Sequence, residues 1–99
     1  MISVVFHPAA LEELEHAADY YEREREGLGR RFRLDFEASL ERIVQNPLLF
    51  AEELGDFRAC MLKRFPYTIF YIVLDSELWI AAVAHQSRKP GYWARRRPH

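Results

Sequence analysis

The feature that most constrains this chain is a change of hydrophobic period at Asn46-Pro47. Before it, apolar residues recur at helical spacing. Leu11, Leu14, Ala18 and Tyr21, with Ala10 and Ala17 beside them, follow His7-Pro8 and predict an amphipathic helix from about Pro8 to Glu26. Pro8 suits the first turn, where its missing N–H costs nothing. Glu12 and Glu13 sit favourably near the positive helix end, and Glu12, Glu15, Glu22 and Arg23 mark the wet face. Gly27-Leu28-Gly29 breaks the pattern. Phe32, Phe36, Leu40 and Ile43, with Val44 adjacent, predict a second helix that stops at Asn46-Pro47. Two helices joined by so short a Gly-containing link predict an antiparallel hairpin.

After Pro47 the helical spacing is lost and short strand-like runs follow, Tyr67 to Leu74 being nearly all apolar or β-branched. Pro47 to Asp56 reads as a connecting loop containing Leu48, Leu49, Phe50 and Leu54, ending in the turn signal Gly55-Asp56. Three strands are predicted: Phe57 to Phe65, ended by Pro66; Tyr67 to Leu74; and, after Asp75-Ser76-Glu77, Leu78 to His85. Links this short make neighbouring strands antiparallel. Ile2 to Phe6 adds an N-terminal edge strand. The expected architecture is α+β: an N-terminal strand and a helical hairpin packed on one face of a small, mainly antiparallel sheet of three to four strands. A chain of 99 residues is expected to form one domain, 1–99.

Composition narrows the function classes. The net charge is −1, which argues against a generic nucleic-acid binder. The charge is uneven: residues 1–50 carry ten acids and six bases, a net −4, and residues 51–99 carry five acids and eight bases, a net +3. A local basic face on the C-terminal half is therefore expected. Cys60 is the only cysteine and lies in an apolar stretch, as an inert buried thiol would. His7, His16, His85 and His99 lack metal-ligand spacing, and no Gly-rich phosphate loop suggests a nucleotide cofactor. The N-terminus lacks a basic flank, and no apolar run approaches membrane-span length, so a cytoplasmic protein with neither metal nor cofactor is expected.

Cationic and aromatic groups collect in Arg64-Phe65-Pro66-Tyr67, at a turn, and in the tail from His85 to Arg97. They suit an anionic or proteinaceous target. Structural roles are equally open there. Tyr92-Trp93 can fold back on the core, Arg88 can pair with an acid, His85 can be a hydrogen-bonded strand end, and Arg95-Arg96-Arg97 can be a disordered tail end. By alternation Arg58 and Arg64 share one strand face, available to a partner's acids or to the helix acids. Phe32, Phe36, Tyr20 and Tyr21 are expected to be core or rim packing.

The order of elements resembles the RelE/ParE superfamily of toxins from type II toxin–antitoxin modules. So do Phe6-His7-Pro8-Ala9-Ala10, Asp19-Tyr20-Tyr21, Asn46-Pro47, Arg64-Phe65-Pro66-Tyr67 and the closing Val83-Ala84-His85-Gln86-Ser87-Arg88-Lys89-Pro90-Gly91-Tyr92-Trp93. The resemblance covers nearly the whole chain. It implies a toxin held inactive by a cognate antitoxin in a hetero-oligomer, with Arg58, Lys63 and Arg64 as antitoxin-binding candidates. Two branches of the superfamily differ in target. RelE-like members cleave mRNA on the ribosome with strand lysines and arginines plus C-terminal groups, for which His85, Arg88 and Tyr92 are the candidates here. ParE-like members inhibit DNA gyrase without being nucleases, and Arg88, Tyr92, Trp93 and Arg95 are then the target-binding candidates. RelE-like nucleases carry an arginine after the tyrosine that opens the middle strand, where this chain has Thr68. Where they show alternating lysines it has Ala59 and Met61. These departures favour the ParE-like branch. A non-toxic protein-binding module is the remaining alternative.

Overall fold

The computed structural model describes residues 2–98. Its elements run β1 (Ser3–Phe6), α1 (Pro8–Glu24), α2 (Leu28–Gln45), β2 (Glu52–Leu54), β3 (Phe57–Met61), β4 (Tyr67–Leu74) and β5 (Glu77–His85). One sheet of five strands has the order β1-β5-β4-β3-β2. The expected α+β fold is present, with one strand more than the expected three to four. The extra strand is β2, taken from the segment read as loop. All three of its residues are exposed, and Glu52 and Leu54 pair with Arg58 and Phe57 across an irregular register. So short a run carries no period that a sequence can display.

α1 starts after His7, which is still extended and whose ring Nδ1 accepts the Ala9 N–H at 3.0 Å, with Pro8 at the first helical position. That bond satisfies one of the orphan donors of the first turn. α2 begins at Gly27, whose φ of 86° favours glycine and which has no side chain to cap with. Glu22 of α1 supplies the cap instead, its two carboxylate oxygens accepting from Gly27 N and Gly29 N at 3.0 Å each. At Gly29 the helices meet closely: a Cβ there would stand 2.6 Å from the Ala18 carbonyl oxygen.

The helical hairpin covers one sheet face. Ala10, Leu14, Ala17 and Ala18 of α1 and Phe32, Phe36 and Ile43 of α2 pack on Ile69, Tyr71, Leu78, Ile80 and Val83, with Cys60 buried among them. Burial pushes the Cys60 thiol pKa up, as expected of an inert cysteine. Leu11 and Tyr20 fall outside the stripe and are 45% and 50% exposed. A second cluster lies on the other sheet face: Phe57, Ile72, Ala81, Ala82, Ala84 and Trp93 are buried together. The tail supplies its cover, so the sheet is enclosed on both sides where one covered face was expected.

Two further features complete the sheet, the first beyond the pattern reading and the second departing from it. β1 pairs with β5 in parallel, Ser3 opposite Glu77 through Phe6 opposite Ile80, because the helical hairpin carries the chain across the sheet. β3 ends at Met61 rather than Phe65. The N–H groups of Lys63, Arg64 and Phe65 leave the ladder for the buried carboxylate of Asp35, at 3.2, 2.8 and 3.1 Å. The alternation that placed Arg58 and Arg64 on one face therefore stops before Arg64.

Candidate functional site

β3, β4 and β5 are antiparallel, and their register fixes what the tail-side face displays. One row is Met61, Thr68 and Ala84; the next is Ala59, Phe70 and Ala82. No member of either row carries a charge. Thr68 is buried, while Met61 is 62% exposed. A register shift after Phe70 inserts an extra residue in β5, leaving Ala81 and Ala82 both in the tail-side cluster.

The tail is anchored on this face by Trp93. Its ring stacks on Phe70 at 4.1 Å between centroids and meets Phe57 edge-on at 4.8 Å. Trp93 is 3% exposed, so of the two roles the sequence left open, target contact and folding back on the core, its indole takes the second. Trp79 donates its indole N–H to the Arg96 carbonyl at 2.7 Å, and Arg97 forms a forked pair with Asp56 at 2.9 Å. The Arg95-Arg96-Arg97 segment is thus tied down rather than loose; of the three, Arg95 alone extends its side chain into solvent without an ion-pair partner among the described residues.

A carboxylate on α1 completes the anchoring. β1 ends at Phe6, and its side of β5 lacks a strand partner beyond Ile80. There Glu13 Oε1 accepts the Val83 N–H at 3.0 Å, and the Arg96 guanidinium donates to the Ala81 carbonyl at 3.2 Å and to Glu13 Oε1 at 3.0 Å. Glu13 Oε2 accepts the Tyr92 hydroxyl at 2.7 Å. Arg88 lies over the Tyr92 ring at 4.0 Å and Arg96 at 5.1 Å. Burial, and then the bond to Glu13, push the Tyr92 pKa well above the ordinary phenol value. Tyr92 is therefore a fixed neutral donor at physiological pH.

His85, Arg88 and Tyr92 do converge. With Lys89 and Thr68 they border a cleft of about 140 Å³, whose remaining wall includes Phe70 and Trp93. His85 Nδ1 faces Ser87, 3.0 Å from its N–H and 2.7 Å from its hydroxyl, and the imidazole meets the Tyr67 ring edge-on at 5.1 Å. Lys63 and Arg64 lie elsewhere. With Arg31 they rim a groove of about 700 Å³ whose apolar surface comes from Leu28, Leu34 and Phe65. Arg58 is turned inward, donating to the carbonyls of Phe50 and Leu48 at 2.7 and 3.3 Å and standing 3.8 Å from Glu52. It organises the loop before β2 and is not free for a partner's acid.

Sequence reasoning missed Glu13, Asp35 and the structural role of Arg96. Asp35 and Glu13 lie among other acids on amphipathic helices, and nothing local distinguishes them from solvated charges. Among the described residues no group of three or more His, Cys, Asp or Glu could hold a metal ion, and no helix is long and apolar enough to cross a membrane.

The helical hairpin and the sheet it covers have a counterpart in known proteins. The sequence model of the ParE toxins of type II toxin–antitoxin systems, parDE, matches residues 4–90, so the chain belongs to that family. The structure is similar to a chain of a chromosomal ParDE TA system from P. aeruginosa, with a TM-score of 0.75 and 19% identity, covering 86% of this chain and 96% of that one. At that identity the likeness is one of fold. The comparison with curated proteins found no match.

Proposed function

We propose that this ParE-family toxin acts by binding DNA gyrase through its tail-bearing end, without cleaving RNA. The uncharged rows Met61-Thr68-Ala84 and Ala59-Phe70-Ala82 carry this reading. In-line attack on a phosphodiester concentrates charge on the phosphoryl oxygens, and a nuclease needs cations aimed there. The central strands supply none, and Tyr92 is committed to a carboxylate that holds its proton in place. Arg88, Lys89 and Arg95 remain as an exposed cationic rim suited to an acidic protein surface. Purified toxin is expected to inhibit gyrase supercoiling and to leave mRNA intact in translating extracts. Unimpaired supercoiling at saturating toxin would refute the proposal.

The cleft bordered by His85, Arg88 and Tyr92 is the observation that favours a second reading, a ribosome-dependent endoribonuclease. Primer extension decides it: cuts in translated mRNA that vanish in Arg88→Ala would establish the nuclease, and uncut message would remove it. Normal growth on expression of the chain alone would point to a non-toxic binding module. Neutralisation by a cognate antitoxin has its own surface. The groove rimmed by Arg31, Lys63 and Arg64, with Leu34 50% exposed beside it, suits an acidic amphipathic segment with apolar anchors. Charge reversal at Lys63 and Arg64 is expected to weaken antitoxin binding while leaving toxicity in place.

A further inference from the structure

Among the described residues, 86–98 contain turns but no strand or helix, so no backbone ladder places them. Side-chain anchors do. Trp93 holds the middle of this segment against the sheet and Arg97 ties its end to Asp56. Glu13 holds the part that carries the cations. One carboxylate takes an N–H from the uncovered edge of β5, a guanidinium from the tail and a phenol from the tail. Its three partners lie 70, 83 and 79 residues away in sequence. The phenol it fixes is the ring against which Arg88 rests.

From this convergence we infer that Glu13 is the positioning residue of the toxin: it sets where Arg88, Tyr92 and Arg96 stand, and target engagement depends on it although it is not itself the contact. The inference rests on the reading of the tail as the target-binding end. The side chain is well suited to the task. Its carboxylate is half-buried, with 17% of its side chain accessible, where a charge-assisted hydrogen bond is stronger than in open solvent. The Glu13–Arg96 pair also fills, with one acceptor and one donor, edge positions of β5 that a longer β1 would have occupied. The same contact closes a sheet edge to strand addition and orients the tail.

The test compares full-length wild type, Glu13→Gln and Ile43→Val. The glutamine is isosteric and keeps a carbonyl oxygen for Val83 N–H, but loses the charge and the second acceptor. Ile43→Val trims the helix-side core, away from the tail, and serves as a control of reduced stability. Amide hydrogen exchange is followed across residues 92–97 together with growth inhibition on expression. In Glu13→Gln, exchange in that segment is expected to rise on the order of tenfold or more relative to Ile43→Val, the effect of losing charge-assisted bonds. Growth inhibition is expected to fall roughly in step with this release, while Ile43→Val stays toxic. Unchanged tail exchange in Glu13→Gln overturns the inference whatever the target is. So does released tail with full toxicity, or loss of toxicity equal to that of Ile43→Val. A released tail with lost toxicity, combined with a wild-type chain inert on supercoiling, removes gyrase as the target and leaves the positioning role standing.

Discussion

Replacing Trp93 with alanine tests the claim that the tail is a layer of the fold and not an appendage. A buried aromatic of this size removes about 150–250 Å² from water. At about 25 cal/mol per Å² that burial is equivalent to about 4–6 kcal/mol, an upper bound because the unfolded chain is partly collapsed. The stacked contact with Phe70 and the edge contact with Phe57 add about 0.5–1.5 kcal/mol each. Against this, a released tail recovers conformational entropy, so the structure can surrender the tail before it surrenders the sheet. The expected net loss is about 3–5 kcal/mol, within the range for large-to-alanine core changes. For a domain of this size that lowers Tm by roughly 15–30 °C. The assay is thermal unfolding by far-UV circular dichroism, with Trp79 as the remaining fluorescent reporter. Phe57 and Phe70 become accessible in the variant, so an apolar dye should bind it and not the wild type. A Tm lowered by less than about 5 °C, with no dye binding, would refute the layered arrangement.

Two more outcomes follow from side chains that the mechanism leaves in structural roles. Asp35→Ala removes the acceptor of three backbone N–H groups at the β3–β4 turn and should cost about 2–3 kcal/mol in urea unfolding, with Asp35→Asn costing about half; a change below about 0.5 kcal/mol would show that water replaces the carboxylate. Tyr71, fully buried with its hydroxyl donating to the Pro47 carbonyl at 2.8 Å, has its pKa pushed up to about 12 by burial. Its folded value exceeds the unfolded value of about 10, so its contribution is fully present below pH of about 10 and is lost as the pH rises towards 12, a decline of about 2–3 kcal/mol. Tyr71→Phe should be less stable at neutral pH and flatten that alkaline decline; an unchanged alkaline slope would contradict it.

The helices, the central strands and the family resemblance were all legible in the sequence, because helical period, alternation and turn chemistry are local properties. Pro8, Gly27 and Asn46-Pro47 mark boundaries that the structure reproduces within a few residues. The cationic and aromatic character of the tail was legible too, as was the missing charge at Thr68. Roles were harder. Trp93 and Arg88 look alike as exposed candidates in a polar tail, yet one is core and the other is surface.

What the amino-acid order determined by itself was a set of elements with defined faces, and a charge balance that is net acidic in the first half and net basic in the second. Only the folded structure decided that β1 lies parallel to β5, that the tail returns to cover a second sheet face, and that Glu13 rather than another acid of α1 meets it. Those outcomes depend on groups far apart in the sequence, 70 to 83 residues apart for the Glu13 contacts. Such pairs leave no periodic trace, and they form only once the sheet has set the distance between them.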